Sequence, residues 1–329
     1  MKKTIYLYQS GELLRQDSSL VLILKNGSKV YIPIFQIDQI ICFSEITLNK
    51  RVLTLLSMYE ISIIFFNFYG NYLGGYFPKE CKNGKVLFEQ VNAYQDQEMH
   101  QYISKQIIQA SIKNQKALLK YYQKKGKNLN SILMGIDASL KKLDQSEDIP
   151  NVLMIEAQAK QLYYQAFDKI ISGSIFSFEH RSKNPPENEF NSMLSYGYAL
   201  LYSHYLSVLH RSSLSPQISF VHSLNKSYDS LQYDLADILK PVIVDRLVLR
   251  MIRKNQVKKD MFDYSNDRCY LNKQGTVWFT KEFENQLHST VVVGRKTYSY
   301  KGLISREVHL LSNYLKGESK SYKPYLMKW

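Results

Sequence analysis

The chain has 329 residues, of which 45% are hydrophobic and 13% aromatic, and this composition excludes disorder as the main state. Its 43 lysines and arginines exceed its 29 aspartates and glutamates, which gives a formal net charge of +14. Such an excess is typical of a protein with a polyanionic partner, most often nucleic acid, although a merely solubilising surface produces the same count. The length favours two domains.

The amino-terminal part is predicted to form short strands, rich in β-branched and aromatic residues and separated by Asn-Gly, Gly and Pro. Asn26-Gly27 supplies the positive φ angles of a tight turn, so the strands on either side of it should be adjacent and antiparallel. One helical segment, 49–59, interrupts the strands, because its apolar residues recur at helical spacing. The predicted strands cover 4–8, 20–25, 29–33, 38–43, 61–66 and 71–77.

Beyond these strands the apolar period becomes helical. Pro150 suits the first turn of a helix, whereas Pro241 lies inside a helical pattern and predicts a kink or a break. The segment 263–302 is mixed, and no element is predicted for it. We therefore expect an α+β protein with a small β-rich domain over 1–88 and a larger, all-α domain over 89–329. The predicted helices cover 88–125, 128–144, 150–172, 187–211 and 229–257.

The positive charge is concentrated in the helical part, because residues 1–90 carry only +3 of the net +14. A polyanion should therefore mainly meet the helical domain. Arg246, Arg250 and Arg253 recur at three- and four-residue steps and share a helix face, which would bind a polyanion or form a solvated surface. Arg181 and Lys183 lie in a loop before a Pro-Pro helix start, where they could contact a phosphate or belong to an ordinary connection between helices.

The cysteine content and the apolar stretches indicate where the protein works. Cys42, Cys81 and Cys269 are far apart and form no CxxC pair, which is typical of a reducing cytosol. Gln9 interrupts any apolar stretch near the start, so no signal peptide is expected. The longest apolar stretch, Met193–Leu209, is shorter than the roughly 20 residues of a membrane-spanning helix. We expect a cytoplasmic protein with no membrane partner.

Because the sequence lacks the common catalytic motifs, acidic and histidine side chains are the remaining candidates for catalysis. The sequence contains no phosphate-binding glycine loop, no dinucleotide fingerprint, no serine-hydrolase elbow and no HExxH. Asp234 and Asp237 lie on one face of a predicted helix beside apolar residues. Two such carboxylates need a metal cation, a proton or basic neighbours if they are buried, and they are an ordinary capping or surface pair if they are not.

Two further residues could belong to the same chemistry. Glu156 is a single acid in an apolar helical stretch, so it requires a partner if buried and is otherwise an exposed helix position. His222 follows an apolar segment, fifteen residues before Asp237. A lone histidine is either a hydrogen-bonded structural residue or a ligand, and the spacing leaves both open.

Read in order, five stretches together resemble the CRISPR-associated endonuclease and integrase family, the universal integrase of spacer acquisition. The resemblance spans the whole chain, and we expect a type I system. The five stretches are Ile155–Ala157, the segment from Arg181 through Pro185-Pro186 to Tyr198, Phe220–His222, Asp234–Pro241 and Tyr322–Tyr325.

The resemblance implies a metal site in the helical domain, which would then be the catalytic domain. In that family a Glu, a His and an Asp coordinate a divalent metal, and the matching positions are Glu156, His222 and Asp237. Asp234 matches an accessory acid, and which aspartate contacts the metal stays open. The ion would be Mg²⁺ or Mn²⁺, since imidazole favours Mn²⁺ as a substitute. Many family members have a second acid and an arginine before the proline, where this chain has Ile238-Leu239-Lys240. The effect of this departure on DNA contacts stays open.

The implied activity is phosphodiester transesterification, which joins short DNA fragments, the spacers, into the repeat array as part of antiviral defence. Hydrolysis at the same site would appear as endonuclease activity. The basic residues would hold double-stranded DNA without reading its sequence. The resemblance also implies a homodimer formed through the β-rich domain and a small second adaptation subunit. A structure-selective DNA-repair nuclease and a non-catalytic DNA-binding scaffold are the alternatives.

Overall fold

The chain divides into two compact units in the computed structural model. The first consists of Met1–Cys81 with His210–Ser213, and the second of Lys82–Leu209 with Leu214–Trp329. The division thus follows residue 81 rather than residue 88, because Asn83 caps a helix that begins at Gly84. No pattern in the sequence indicates that 210–213 belongs to the first unit. The residues that the structure describes are 2–67, 69–78, 83–224, 229–266 and 268–328.

Within its described residues, the first unit contains two four-stranded sheets and one α-helix, α1 (Lys50–Met58), which lies close to the predicted helical segment. The first sheet has the order β1-β5-β7-β8. Its strands β1, β5 and β7 are parallel, and β8 pairs antiparallel with β7. The second sheet has the order β4-β3-β2-β6. All six predicted strands form, and β2 and β6 are additional. The strands are β1 (Lys3–Leu7), β2 (Gly11–Gln16), β3 (Ser19–Leu24), β4 (Lys29–Ile32), β5 (Ile37–Cys42), β6 (Ile46–Leu48), β7 (Ser62–Phe66) and β8 (Tyr72–Tyr76).

The predicted Asn-Gly turn joins β3 and β4, which pair antiparallel. Gly27 has a φ of 81°, in the left-handed region that glycine adopts without strain, and its N–H donates to the Leu24 carbonyl at 2.9 Å. Behind the strands, apolar side chains of both sheets pack with α1 into one core, which includes Leu13, Ile40 and Leu56. This core holds the first unit together, because burial of apolar surface is the main favourable term in folding.

The second unit is built around α3, whose 28 residues span about 42 Å and which packs against α4, α5 and α7. The predicted helix over 88–125 is two helices, because Asp96 is extended and its side chain caps α3 by accepting from Met99 N at 2.8 Å. The helices before the break are α2 (Gly84–Gln95), α3 (Gln97–Lys124), α4 (Asn130–Gln145), α5 (Ile149–Ile171), α6 (Glu189–His210) and α7 (Leu231–Lys240).

Both prolines lie where the pattern predicted a special role. Pro150 is in the first turn of α5, which Asp148 caps by accepting from Asn151 N at 2.7 Å. At Pro241 the helix widens into a π turn, Pro241–Asp245, before α8 (Arg246–Arg253) begins. A proline has no N–H to donate to the preceding turn, so the break follows directly from the residue type.

The segment without a predicted element contains two hairpins around α9 (Lys273–His288), so the second unit is not purely helical. They are formed by β9 (Phe262–Ser265) with β10 (Arg268–Leu271), and by β11 (Thr290–Val293) with β12 (Lys296–Ser299). The last helix, α10 (Tyr300–Leu315), follows the second hairpin. Within the described ranges, none of the helices combines the length and the apolar run of a membrane span.

Asn114 of α3 fixes the carboxyl-terminal segment to the helical core. Its side-chain amide donates to the carbonyls of Ile238, at 2.7 Å, and Tyr325, at 3.0 Å, and its oxygen accepts from Met327 N at 2.7 Å. The residue is fully buried. These bonds satisfy backbone groups that would otherwise be buried without partners.

Asn114→Ala should therefore lower the free energy of unfolding by about 3 kcal/mol, because it leaves three buried backbone groups unpaired. Denaturant unfolding of the full chain measures this. Asn285→Ala removes the same side chain from an exposed position of α9 and should change stability by less than about 0.5 kcal/mol. Equal effects of the two variants would contradict the role given to Asn114.

Glu307 of α10 is a second buried polar residue beside this segment. Its carboxylate accepts from Tyr325 N at 3.0 Å and from Arg306 at 2.6 Å, and burial raises its pKa from an ordinary 4.5 to about 7. Between these two pH values the unfolded chain has lost a proton that the folded chain keeps. The free energy of unfolding therefore falls as pH rises through this window.

Glu307→Gln should remove that dependence. The stability of the variant relative to wild type is expected to rise by on the order of 2 to 3 kcal/mol from pH 4.5 to pH 7.5. Chemical unfolding at a series of pH values gives the two curves, with Glu318→Gln as the control at an exposed position. Parallel curves for wild type and Glu307→Gln would show that this carboxyl does not titrate in the window.

Candidate functional site

Lys160 lies between two of the predicted site acids. Glu156 and Lys160 are one turn apart on α5, and the Lys160 ammonium contacts Oε1 of Glu156 and, at 2.9 Å, Oδ2 of Asp237 on α7. Lys240, one turn after Asp237, contacts its other oxygen. Glu156 therefore has the partner that a largely buried acid requires, and its carboxylate and that of Asp237 meet at a single cationic atom.

The electrostatic balance favours ionised carboxylates at this position. Burial alone would raise the pKa of Asp237, but the ammonium groups of Lys160 and Lys240 and the nearby His222 hold it well below its ordinary value. Burial would lower the pKa of Lys160, and the charges of Asp237 and Glu156 instead raise it well above its ordinary value. The sequence left a metal cation, a proton or basic neighbours as ways to stabilise two buried acids. In this structure basic neighbours, Lys160 and Lys240, stabilise Asp237.

Asp234 has a different environment from Asp237 and organises the turn that carries His222. Its carboxylate is fully buried and accepts from the backbone N–H groups of Phe220 at 2.6 Å, Val221 at 3.0 Å and His222 at 3.0 Å. It also lies 2.7 Å from Nδ1 of His222. Since Asp234 holds Nδ1, Nε2 is the ring nitrogen that a metal or a phosphate would contact.

Two helices support this turn from the other side. On α3, Ser104 Oγ donates to the Phe220 carbonyl at 2.8 Å, and His100 Nε2 lies 2.7 Å from the same oxygen. On α2, the buried side chain of Gln90 donates to the carbonyls of Ser215 and Ile218 at 3.0 and 2.8 Å. The position of His222 is therefore set by long-range hydrogen bonds rather than by the local sequence.

A buried aromatic ring links the site to the cationic loop. Tyr198 of α6 lies under the Lys240 ammonium, at 5.1 Å from the ring centroid, and under the Arg181 guanidinium, at 5.5 Å. Its hydroxyl donates to Asp245 at 2.6 Å, and Tyr163 of α5 donates to the other oxygen of that carboxylate at 2.8 Å. Helices α5 and α6 and the π turn are thus joined directly behind the lysines of the site.

The predicted DNA contacts of the 181–183 loop lie beside these residues. Arg181 donates to Asn191 at 3.0 Å and to Ser195 at 2.9 Å, so much of its guanidinium binds the start of α6. Lys183 is at the exposed rim, where partial burial and the charges of Lys160, Lys240 and Arg181 lower its pKa. Lys160, Lys183 and Lys240 therefore place positive charge near Asp237.

The other three predicted DNA contacts lie on α8 and differ in their availability. Arg246 donates to the Tyr300 hydroxyl at 2.7 Å, and Arg250 donates to Gln286 at 3.2 Å. Arg253 is exposed, and its guanidinium lies 5.3 Å from the centre of the Tyr122 ring. Arg253 and Lys183 are the two of the five that are solvent exposed.

The structure brings together Glu156 with Asp237 and His222 with Asp234. Across the described ranges, no three His, Cys, Asp or Glu side chains are gathered closely enough to form a ready metal cluster. The Glu156 and Asp237 carboxylates nevertheless converge on one cation and supply the hard oxygen donors that Mg²⁺ and Mn²⁺ prefer. The residues therefore fit a divalent ion at the place of the Lys160 ammonium.

Sequence reasoning missed both lysines that contact Asp237. A signal existed for each, because Lys160 follows Glu156 by four residues and Lys240 follows Asp237 by three, spacings that bring helical side chains together. In the sequence, Lys240 stands out only as a departure from a family pattern. No local signal could have found Asp245, Tyr163 and Tyr198, which come from three separate elements.

A β-rich unit followed along the chain by a mainly helical unit is also the fold of a CRISPR-associated protein of known structure. A solved structure of a Cas1 protein from Thermotoga maritima superimposes with a TM-score of 0.87 and 31% identity, covering 98% of this chain and 100% of that one. The model of the family CRISPR associated protein Cas1 matches residues 5–285. The chain belongs to the Cas1 family.

Relatives of similar length support this assignment. The CRISPR-associated endonuclease Cas1 2 of Thermodesulfovibrio yellowstonii is 33% identical over the whole of both chains. The CRISPR-associated endonuclease Cas1 of Thermotoga maritima is also 33% identical, over 96% of this chain and 98% of its own. A casposase bound to its integration product shares the fold, with a TM-score of 0.85 at 22% identity over 98% of this chain and 93% of that one.

Proposed function

We propose that this protein is a divalent-metal-dependent DNA endonuclease and integrase that joins spacers into a CRISPR array by phosphodiester transesterification. The observation that carries the proposal is the meeting of Glu156 and Asp237 at one cationic atom, beside His222, in a chain of the Cas1 family. Relatives that match this chain over nearly their full length are named endonucleases.

Glu156, His222 and Asp237 would hold the ion, Mg²⁺ or Mn²⁺. When bound, such an ion neutralises charge that develops on the phosphate and orients the attacking 3′-hydroxyl against the leaving oxygen. Asp234 keeps the His222 ring in place through Nδ1. Lys183 and Arg253, on exposed surface, would hold the DNA backbone without reading sequence, and Arg181, Arg246 and Arg250 would support that surface through their internal hydrogen bonds.

Association partners are proposed on separate grounds. The β-rich unit exposes large apolar side chains, which suit a homodimer interface. A solved Cas6-RT-Cas1–Cas2 complex contains a chain of the same fold, and we propose that the small adaptation subunit Cas2 is also a partner of this protein. The exposed apolar side chains of the β-rich unit include Tyr31, Phe35, Met58 and Leu73.

The cytoplasmic location and the type I system stay predictions.

A strand-transfer assay tests the function. The protein, with its Cas2 partner and Mg²⁺ or Mn²⁺, should join a short duplex with free 3′-hydroxyls to a plasmid that carries a CRISPR repeat. A duplex with 3′-dideoxy ends is the control and should not be joined. Cleavage of branched junction DNA without joining would favour the repair nuclease, and DNA binding with neither reaction would favour the scaffold.

A further inference from the structure

Lys160 occupies the point at which the two carboxylates of the proposed metal site meet. Its ammonium contacts Glu156 through Oε1 and Asp237 through Oδ2 at 2.9 Å. Of the two acids, Lys240 contacts Asp237, and among the described residues Lys183 forms an ion pair with neither. Lys160 is therefore the cation that bridges the two acids.

An ammonium and a divalent ion cannot use these oxygens together. Mg²⁺ lies about 2.1 Å from its oxygen ligands, so such an ion held by both carboxylates would be in van der Waals conflict with Nζ and would repel its charge. Lysine has a flexible four-carbon stem, so the ammonium can leave without movement of α5.

The surroundings indicate where the ammonium would go. Lys160, Lys240 and Arg181 all act on the charge of Lys183, so several cations are close together at this place. Once an ion neutralised Glu156 and Asp237, the displaced ammonium would lose both of its acidic partners. A phosphate group at the rim would give it an anionic partner, and DNA supplies such groups.

We propose that Lys160 exchanges between the two carboxylates and a DNA phosphate, so that divalent metal and DNA bind with positive cooperativity. The inference rests on the proposed function, since it takes Glu156 and Asp237 as metal ligands. By linkage, DNA should raise the affinity for the ion by the same factor as the ion raises the affinity for DNA. Lys160 would thus prevent the protein from being fully loaded with metal before a substrate arrives.

Mn²⁺ binding to the full chain tests the exchange without catalysis. The loss of the electron paramagnetic resonance signal of the free ion measures this binding. In the absence of DNA, Lys160→Met should bind Mn²⁺ about tenfold more tightly than wild type, within the range of roughly 5- to 150-fold found for coupled sites. Lys183→Met removes an equal charge near Asp237 without opening the bridge, and should stay within about threefold of wild type. A duplex with 3′-dideoxy ends should tighten Mn²⁺ binding by wild type and leave Lys160→Met nearly unchanged.

The outcomes separate this inference from the proposed function. Unchanged or weaker Mn²⁺ binding by Lys160→Met, or an equal gain in Lys183→Met, overturns the exchange. Asp237→Asn should bind Mn²⁺ much more weakly than wild type, and if it does not, the proposed metal site itself is wrong. Lys160→Gln, which can still donate a hydrogen bond to one carboxylate, should show a smaller gain and replaces Lys160→Met if that variant does not fold.

Discussion

Alanine at Glu156 or at His222 is expected to lower the rate of DNA joining and of DNA cleavage by about 10³-fold. Each change removes a proposed metal ligand, and the stabilisation that a bound ion gives to charge developing on a phosphate is worth several kcal/mol. Glu156→Ala also takes one of its two acidic partners from Lys160. Asp237→Asn should have an effect of similar size, because Asp237 is also a proposed metal ligand and contacts both Lys160 and Lys240.

Initial rates in Mg²⁺ and in Mn²⁺ measure these effects. Glu147→Ala and His309→Ala remove the same residue types from exposed positions and serve as controls, with melting temperatures to establish that every variant is folded. Unchanged joining and cleavage by Glu156→Ala or His222→Ala would eliminate the proposed site. DNA binding that persists in all variants is expected, since the exposed cations Lys183 and Arg253 are untouched.

The parts of the fold that could be predicted depend on residues close in sequence. Asn26-Gly27, Pro150 and Pro241 act through their own backbone preferences, and the structure has a turn, a helix start and a break at those places. Strand β6 was missed because three residues carry too little pattern. The segment 210–213 joins the first unit through tertiary contacts that no local pattern encodes.

In the site, too, contacts between residues close in sequence could be predicted, whereas contacts between distant segments could not. Burial requires a partner for Glu156, and the i,i+4 spacing puts Lys160 within its reach, so the sequence held a signal for this pair although Lys160 was not among the predicted site residues. The distinct environments of the two aspartates do not. Asp234 accepts hydrogen bonds from the backbone of 220–222, and Asp237 contacts a lysine from α5, because the fold brings two distant segments to neighbouring turns of α7.

Asp234→Asn is expected to slow DNA joining by about 10- to 100-fold, the usual cost of losing a residue that orients a metal ligand. An asparagine can accept some of the four hydrogen bonds that Asp234 accepts, but its amide would face N–H groups that need an acceptor. The His222 ring would lose the partner that fixes Nδ1. Stability should fall as well, because buried donors are left unpaired.

The decisive comparison is Mn²⁺ affinity in Asp234→Asn and in Asp237→Asn, measured beside joining rates. A positioning role predicts that Asp234→Asn keeps Mn²⁺ affinity within about tenfold of wild type while the joining rate falls, whereas Asp237→Asn loses both. Asp260→Asn is the control, since that aspartate is exposed. If Asp234→Asn weakened Mn²⁺ binding as much as Asp237→Asn, Asp234 would be a direct ligand, and its hydrogen bonds to the 220–222 backbone would have to break on metal loading.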